Sequence, residues 1–165
     1  MALLPFKKIL APVDFSDHAN RALASAAELA VHFGARLYAL HVVAPVPLME
    51  PVDAGDFGLG APMGPAAGMD IGAYQEQLMV GSRSALEKIV KDAVPAGVEV
   101  EVIVEVGDAA SVIGEVAGRE AIDCIVMATH GLTGLSHLLM GSVAEKVVRH
   151  APVPVLIVRQ EKEKP

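Results

Sequence analysis

The chain reads as a single α/β domain, a parallel sheet covered by helices, and three observations carry that reading. Short β-branched runs alternate with segments of helical period, the pattern of successive strand–helix units. The run from Ile122 to Ala128 is apolar almost throughout, as suits a strand covered on both faces. The length of 165 residues, 53% of them hydrophobic, suits one domain. A chain of that size buries about 70% of its unfolded surface and needs no disulfide or metal to hold it. With no Trp, four Phe and two Tyr, the core must be built from Val, Ile, Leu, Ala and Met.

The elements follow in order. Lys7 to Asp14 is the first predicted strand. Ser16 offers an N-cap, Asp17 complements the positive helix end, and Ala19, Leu23, Ala26, Ala30 and Phe33 form a helical stripe. Gly34 is the expected stop and Arg36 to Val43 the second strand. Residues 44–69 break the rhythm with five prolines, five glycines and no Lys or Arg, which predicts a long surface loop. Such a loop is either a tolerated insertion or a lid or partner site. A helix is expected from about Gly72 to Ala93, with Tyr74, Leu78, Ala85 and Ile89 towards one face.

Val98 to Val106 alternates Val with Glu, which predicts one buried and one wet face and suits an edge strand. Asp108 is placed to cap a short helix ending near Glu120, and Ile122 to Ala128 follows as a strand. Ser142 and Glu145 have the spacing of a capping box at the start of the last helix. Pro154 to Val158 is the final strand, giving five strands and four helices.

Lys plus Arg number 13 against 20 Asp plus Glu, a net charge of −7. That balance argues against binding nucleic acid or an anionic membrane through phosphate attraction. A nucleotide is not excluded, because backbone amides at a helix end hold phosphate without basic side chains. Cys124 is the sole cysteine and lies inside an apolar run, so it is expected to be a small core residue in a reducing compartment. Charges follow rather than precede the apolar residues of the amino terminus, the reverse of a signal peptide, and no run approaches a membrane span. A cytoplasmic protein is expected.

The segment with chemical content is Val126 to Ser142, V-M-A-T-H-G-L-T-G-L-S-H-L-L-M-G-S. It joins a buried strand to a helix start through Gly131, Gly134 and Gly141. Glycine lets the backbone approach a ligand, and unpaired first-turn amides attract phosphate oxygens. Turn chemistry alone would account for the glycines equally well. Neither G-x-G-x-x-G after the first strand nor G-x-x-x-x-G-K-[ST] is present, which counts against a dinucleotide dehydrogenase or a P-loop NTPase. The six histidines lack the paired spacing of a metal site, and no nucleophile–base arrangement can be argued.

This segment resembles the signature of universal stress proteins, whose ATP-binding branch carries G-x2-G-x9-G-[ST] after the fourth strand. Gly131, Gly141 and Ser142 match its second half, and Ala128 stands where its first glycine belongs. The opening K-K-I-L-A-P-V-D-F-S, L-H-V-V from Leu40, and the closing G-S-V-A-E-K-V-V-R-H-A-P-V-P-V-L-I-V are similar to the same family. The resemblance implies an open, doubly wound, Rossmann-like sheet of five parallel strands, order 3-2-1-4-5, with helices on both faces. It implies a ligand crevice where the strand order reverses, between the ends of strands one and four.

The roles implied by the resemblance are these. Asp14 accepts hydrogen bonds from ribose hydroxyls; read without the family it is a turn or capping residue. Pro12 and Val13 line an adenine pocket and Val42 offers backbone to the base edge, with Met127 and Ala128 beside them. Gly131, Gly141, Ser142 and Val143 give amides to phosphates, and His130 lies in the same loop. Glu145 near the phosphates suggests an accompanying Mg2+ or Mn2+. The uncharged last strand, Val155 to Val158, is expected at a sheet edge and to pair with its copy in a homodimer. An ATP-binding regulatory or stress-response module is the leading expectation; a nucleotide-free dimeric interaction module and a slow adenosine-nucleotide hydrolase are the alternatives.

Overall fold

The computed structural model describes residues 4–46, 70–129 and 140–159. Its elements are β1 (Lys8–Pro12), α1 (Asp17–Phe33), β2 (Arg36–Val43), α2 (Ile71–Ala93), β3 (Val100–Val106), α3 (Ala109–Arg119), β4 (Cys124–Ala128), α4 (Ser142–His150) and β5 (Val155–Val158). The strands form one sheet in the order β3-β2-β1-β4-β5, and each neighbouring pair is parallel. This is the expected order 3-2-1-4-5. Most of the Pro/Gly-rich loop, residues 47–69, lies outside the described residues, as do His130 and Gly131.

Strand periodicity sorts the core into two layers. Ile9, Ala11, Leu37, Ala39, Cys124 and Val126 face α1 and α2 in one cluster. Their neighbours Leu10, Tyr38, Leu40, Ile125 and Met127 face α3 and α4 in the other. Side chains that alternate at every step leave both faces of the sheet covered, which is why β4 is apolar at consecutive positions. Five alanines of α1, at 19, 22, 26, 27 and 30, are at most 5% exposed and let that helix lie close on the sheet. Cys124 is buried in this core, and burial pushes its thiol pKa up, away from reactivity.

Local signals set most helix ends. Ser16 Oγ accepts the Ala19 amide at 3.1 Å, capping α1, and Gly34 closes that helix at φ 64°. Asp108 caps α3 through the Ser111 amide. These hydrogen bonds hold the Asp108 carboxyl below its usual pKa. On β3, the glutamates find arginines: Glu101 pairs with Arg36 at 3.0 Å and Glu105 with Arg119 at 2.6 Å.

Several expectations need correcting. β1 ends at Pro12, so Asp14 lies in the turn beyond the strand. On α2 the buried residue is Leu86, while Ala85 is exposed. Leu78, Leu86, Ile89 and Val90 make the stripe, and at about 100° per residue Ala85 falls on its flank. The capping box does not form. Gly141 is the N-cap of α4, with no side-chain cap, and Ser142 is the first helical residue. α4 begins at Ser142 as expected, but the cap position before it is held by Gly141, whose amide donates to Thr129 O at 2.7 Å.

Candidate functional site

β1 lies between β2 and β4, so the chain leaves its two flanks towards opposite faces and a cleft opens at the strands' carboxy ends. Open α/β sheets take ligands at such a switch point. Here the cleft encloses about 280 Å³, near the lower end of small-molecule sites.

All nine of the sequence-derived site residues that fall within the described regions line this one cleft. Pro12, Val13 and Asp14 come from the end of β1, and Val42 from the end of β2. Met127 and Ala128 come from β4, and Gly141, Ser142 and Val143 from the start of α4. Residues more than a hundred positions apart therefore meet because the sheet brings their strand ends together. The cleft also contains Leu40, His41, Ala109, Ile113 and Thr129, which sequence reasoning did not single out. His41 stands next to Val42 in L-H-V-V, but nothing in the sequence alone marks it as part of the site.

The walls are mostly apolar, and Asp14 is the one carboxylate among the described lining residues. No Lys or Arg is among them. An anionic ligand group would therefore rely on backbone amides at the N-terminus of α4, where the helix carries partial positive charge. The expectation for Gly141 changes at this point, because its amide is already given to Thr129 O. The first-turn amides beyond it, of Ser142 and Val143, have no intrahelical acceptor by helix geometry.

Asp14 is held in a tight turn. Its Oδ1 accepts the Ser16 amide at 3.1 Å and the Ser16 hydroxyl at 2.5 Å. Phe15, between them, has φ 65°, a left-handed conformation that costs a bulky residue roughly 1–3 kcal/mol. Its ring lies 4.2 Å from that of His41, tilted by 32°. The His41 Nδ1 is 2.7 Å from Val13 O. The turn that presents Asp14 is thus held by β2 as well as by its own sequence.

The expectation for Glu145 also changes. It is exposed, and its carboxylate pairs with Arg149 at 2.7 Å, so it gives no reason for a cation in the cleft. No three acidic, His or Cys side chains gather into a metal site among the described residues. Nor is any described helix long and apolar enough to cross a membrane.

The fold and cleft define a class: a doubly wound α/β protein with an open cleft at the switch point of its parallel sheet. The universal stress protein family matches residues 5–159, and the chain belongs to that family. Universal stress protein MJ0531 of Methanocaldococcus jannaschii is 35% identical over 158 residues, covering 96% of this chain and 85% of that protein. The solved structure of MJ0577, from the same organism, superposes with a TM-score of 0.75 at 25% identity, covering 97% of this chain and all of that one. A universal stress protein solved in complex with cAMP shares the fold at 20% identity, with a TM-score of 0.62, over 93% of this chain and 97% of its own.

Proposed function

We propose that this chain is a universal stress protein of the ATP-binding branch, a nucleotide-dependent regulatory or stress-response module that acts as a homodimer. The observation that carries the reading is the convergence of Asp14, the Pro12–Val13 and Val42 strand ends, and the α4 amides on one cleft. The pairing of an apolar slot, a carboxylate and a helix N-terminus suits a base, a sugar and phosphates in that order. The family relative in complex with cAMP supports an adenine ligand.

In this reading Pro12 and Val13 pack on adenine, Val42 offers backbone to its edge, and Asp14 accepts from the ribose. Ser142 and Val143 give amides to phosphate, with His130 and Gly131 contributing from the same motif and Met127 and Ala128 forming the floor. Mg2+ or Mn2+ would be held through the phosphate oxygens, since the described residues offer no metal cluster of their own. The test is calorimetric titration of nucleotide-stripped protein with Mg-ATP, using AMP and Mg-GTP as controls. Micromolar ATP binding with GTP weak is the expected result. No heat with any nucleotide, from protein with an intact thermal melt, overturns the reading.

The dimer is proposed on β5, an edge strand without charge whose Leu156 is 40% exposed. A two-fold pairing of Val155–Val158 with its copy would cover both. Leu156→Lys is the clean probe, because Val155 and Ile157 pack into the core cluster under α3 and α4. Light scattering should report a dimer for the native chain and a monomer for the variant; a variant that keeps the dimer mass refutes this interface.

A further inference from the structure

His41 touches the chain on both sides of Asp14. Its ring nitrogen Nδ1 lies 2.7 Å from the carbonyl of Val13, the residue before. Its ring centroid lies 4.2 Å from that of Phe15, the residue after, with the planes tilted by 32°. The Val13 amide in turn donates to Leu40 O at 2.8 Å, next to His41 on β2. Both polar groups of the Val13 peptide unit's residue are therefore held by two successive positions of one strand. A carbonyl only accepts, so Nδ1 carries the proton and the ring's tautomer is set by this bond.

The other half of the clamp addresses a strained point. Phe15 has φ 65°, which a bulky residue keeps only where its surroundings hold it. Stacking on His41 supplies that hold, while Ser16 fixes Asp14 Oδ1 from the helix side. The direction of Asp14 into the cleft is thus set jointly by β2 and by the start of α1.

We propose that His41 is a positioning residue of the nucleotide cleft: by clamping residues 13 and 15 it aims Asp14 at the sugar hydroxyls and so sets the preference for a ribonucleotide. The inference rests on the ATP reading above and assigns the sugar selectivity of that site. His41 acts chiefly through Asp14, so its removal should cost ligands that Asp14 can hold more than ligands that it cannot.

The experiment compares ATP with its dideoxy analogue, which lacks both sugar hydroxyls, on the native chain, His41→Leu and His41→Asn. The native chain should prefer ATP by about tenfold or more, the worth of a hydrogen bond to a charged group. His41→Leu, which keeps bulk and loses the donor, should reduce that preference to about twofold. Its affinity for the analogue should fall several-fold less than its affinity for ATP. His41→Asn, which keeps an N–H near the Nδ1 position, should restore much of the preference. Equal weakening of both nucleotides in His41→Leu, or an unchanged preference, overturns the clamp. Native protein that binds neither nucleotide overturns the nucleotide reading and the clamp with it. A measurement that needs no variant is nitrogen–proton NMR of the native histidines: an Nδ1–H signal for neutral His41 is the expected result, and an Nε2–H tautomer overturns the proposal.

Discussion

Replacing Asp14 with alanine is expected to lower the affinity for ATP about tenfold to a hundredfold. A hydrogen bond to a charged group is worth about 1.5–3 kcal/mol, and each 1.4 kcal/mol is roughly a factor of ten in affinity. Asp14 also serves the fold, because its Oδ1 takes two hydrogen bonds from Ser16. Alanine therefore removes two roles at once. Asp14→Asn separates them: the amide oxygen can still accept from Ser16, while the second oxygen becomes a donor. The asparagine variant should melt close to the native temperature and yet bind ATP at least about tenfold more weakly. An asparagine variant that binds ATP as the native chain does would refute the carboxylate's role with the ligand. Calorimetry and a thermal melt on the same three proteins decide the matter.

The largest effect on stability is expected at the centre of the sheet. Ile125 is fully buried and in register with Leu10 of β1 and Val155 of β5. Its side chain lies in the cluster under α3 and α4, where Ile113, Val116 and Val147 leave little room to collapse. Ile125→Ala should cost about 3–4 kcal/mol, the lost transfer energy plus the cavity left behind. For a chain of this length each kcal/mol lowers the melting temperature by about 2–4 °C, so a fall of about 10 °C is expected. Denaturant melts with an unchanged m-value should give the same energy. A loss below about 1 kcal/mol would mean that the two helices close onto the sheet and fill the space.

Much of the architecture was legible because its signals are local. Ser16, Gly34 and Asp108 do at their helix ends what their side chains or backbone freedom permit anywhere. The glutamates of β3 marked an edge because a central strand has no water for them, and the family resemblance supplied the order of the strands. The misreadings share a different cause. Ser142 and Glu145 have the right spacing for a capping box, but Gly141, bonded to Thr129 twelve residues away, holds the cap position and leaves Ser142 as the first helical residue. Glu145 is drawn to Arg149 one turn on rather than to the cleft. Ala85 and Leu86 are both apolar, and only the sheet beneath α2 chooses between them. Within the cleft, the motif positions were readable as strand ends and a glycine loop. His41 was not, because its importance lies in its distance to Val13 and Phe15, set by the pairing of β1 with β2.

The bond from the Gly141 amide to Thr129 O has one more consequence. It fastens together the two points between which residues 130–139 run, so the entropy of closing that span is met by the framework. Exchanging residues 130–139 for those of a relative is therefore expected to leave the register of β4 and the entry of α4 unaltered.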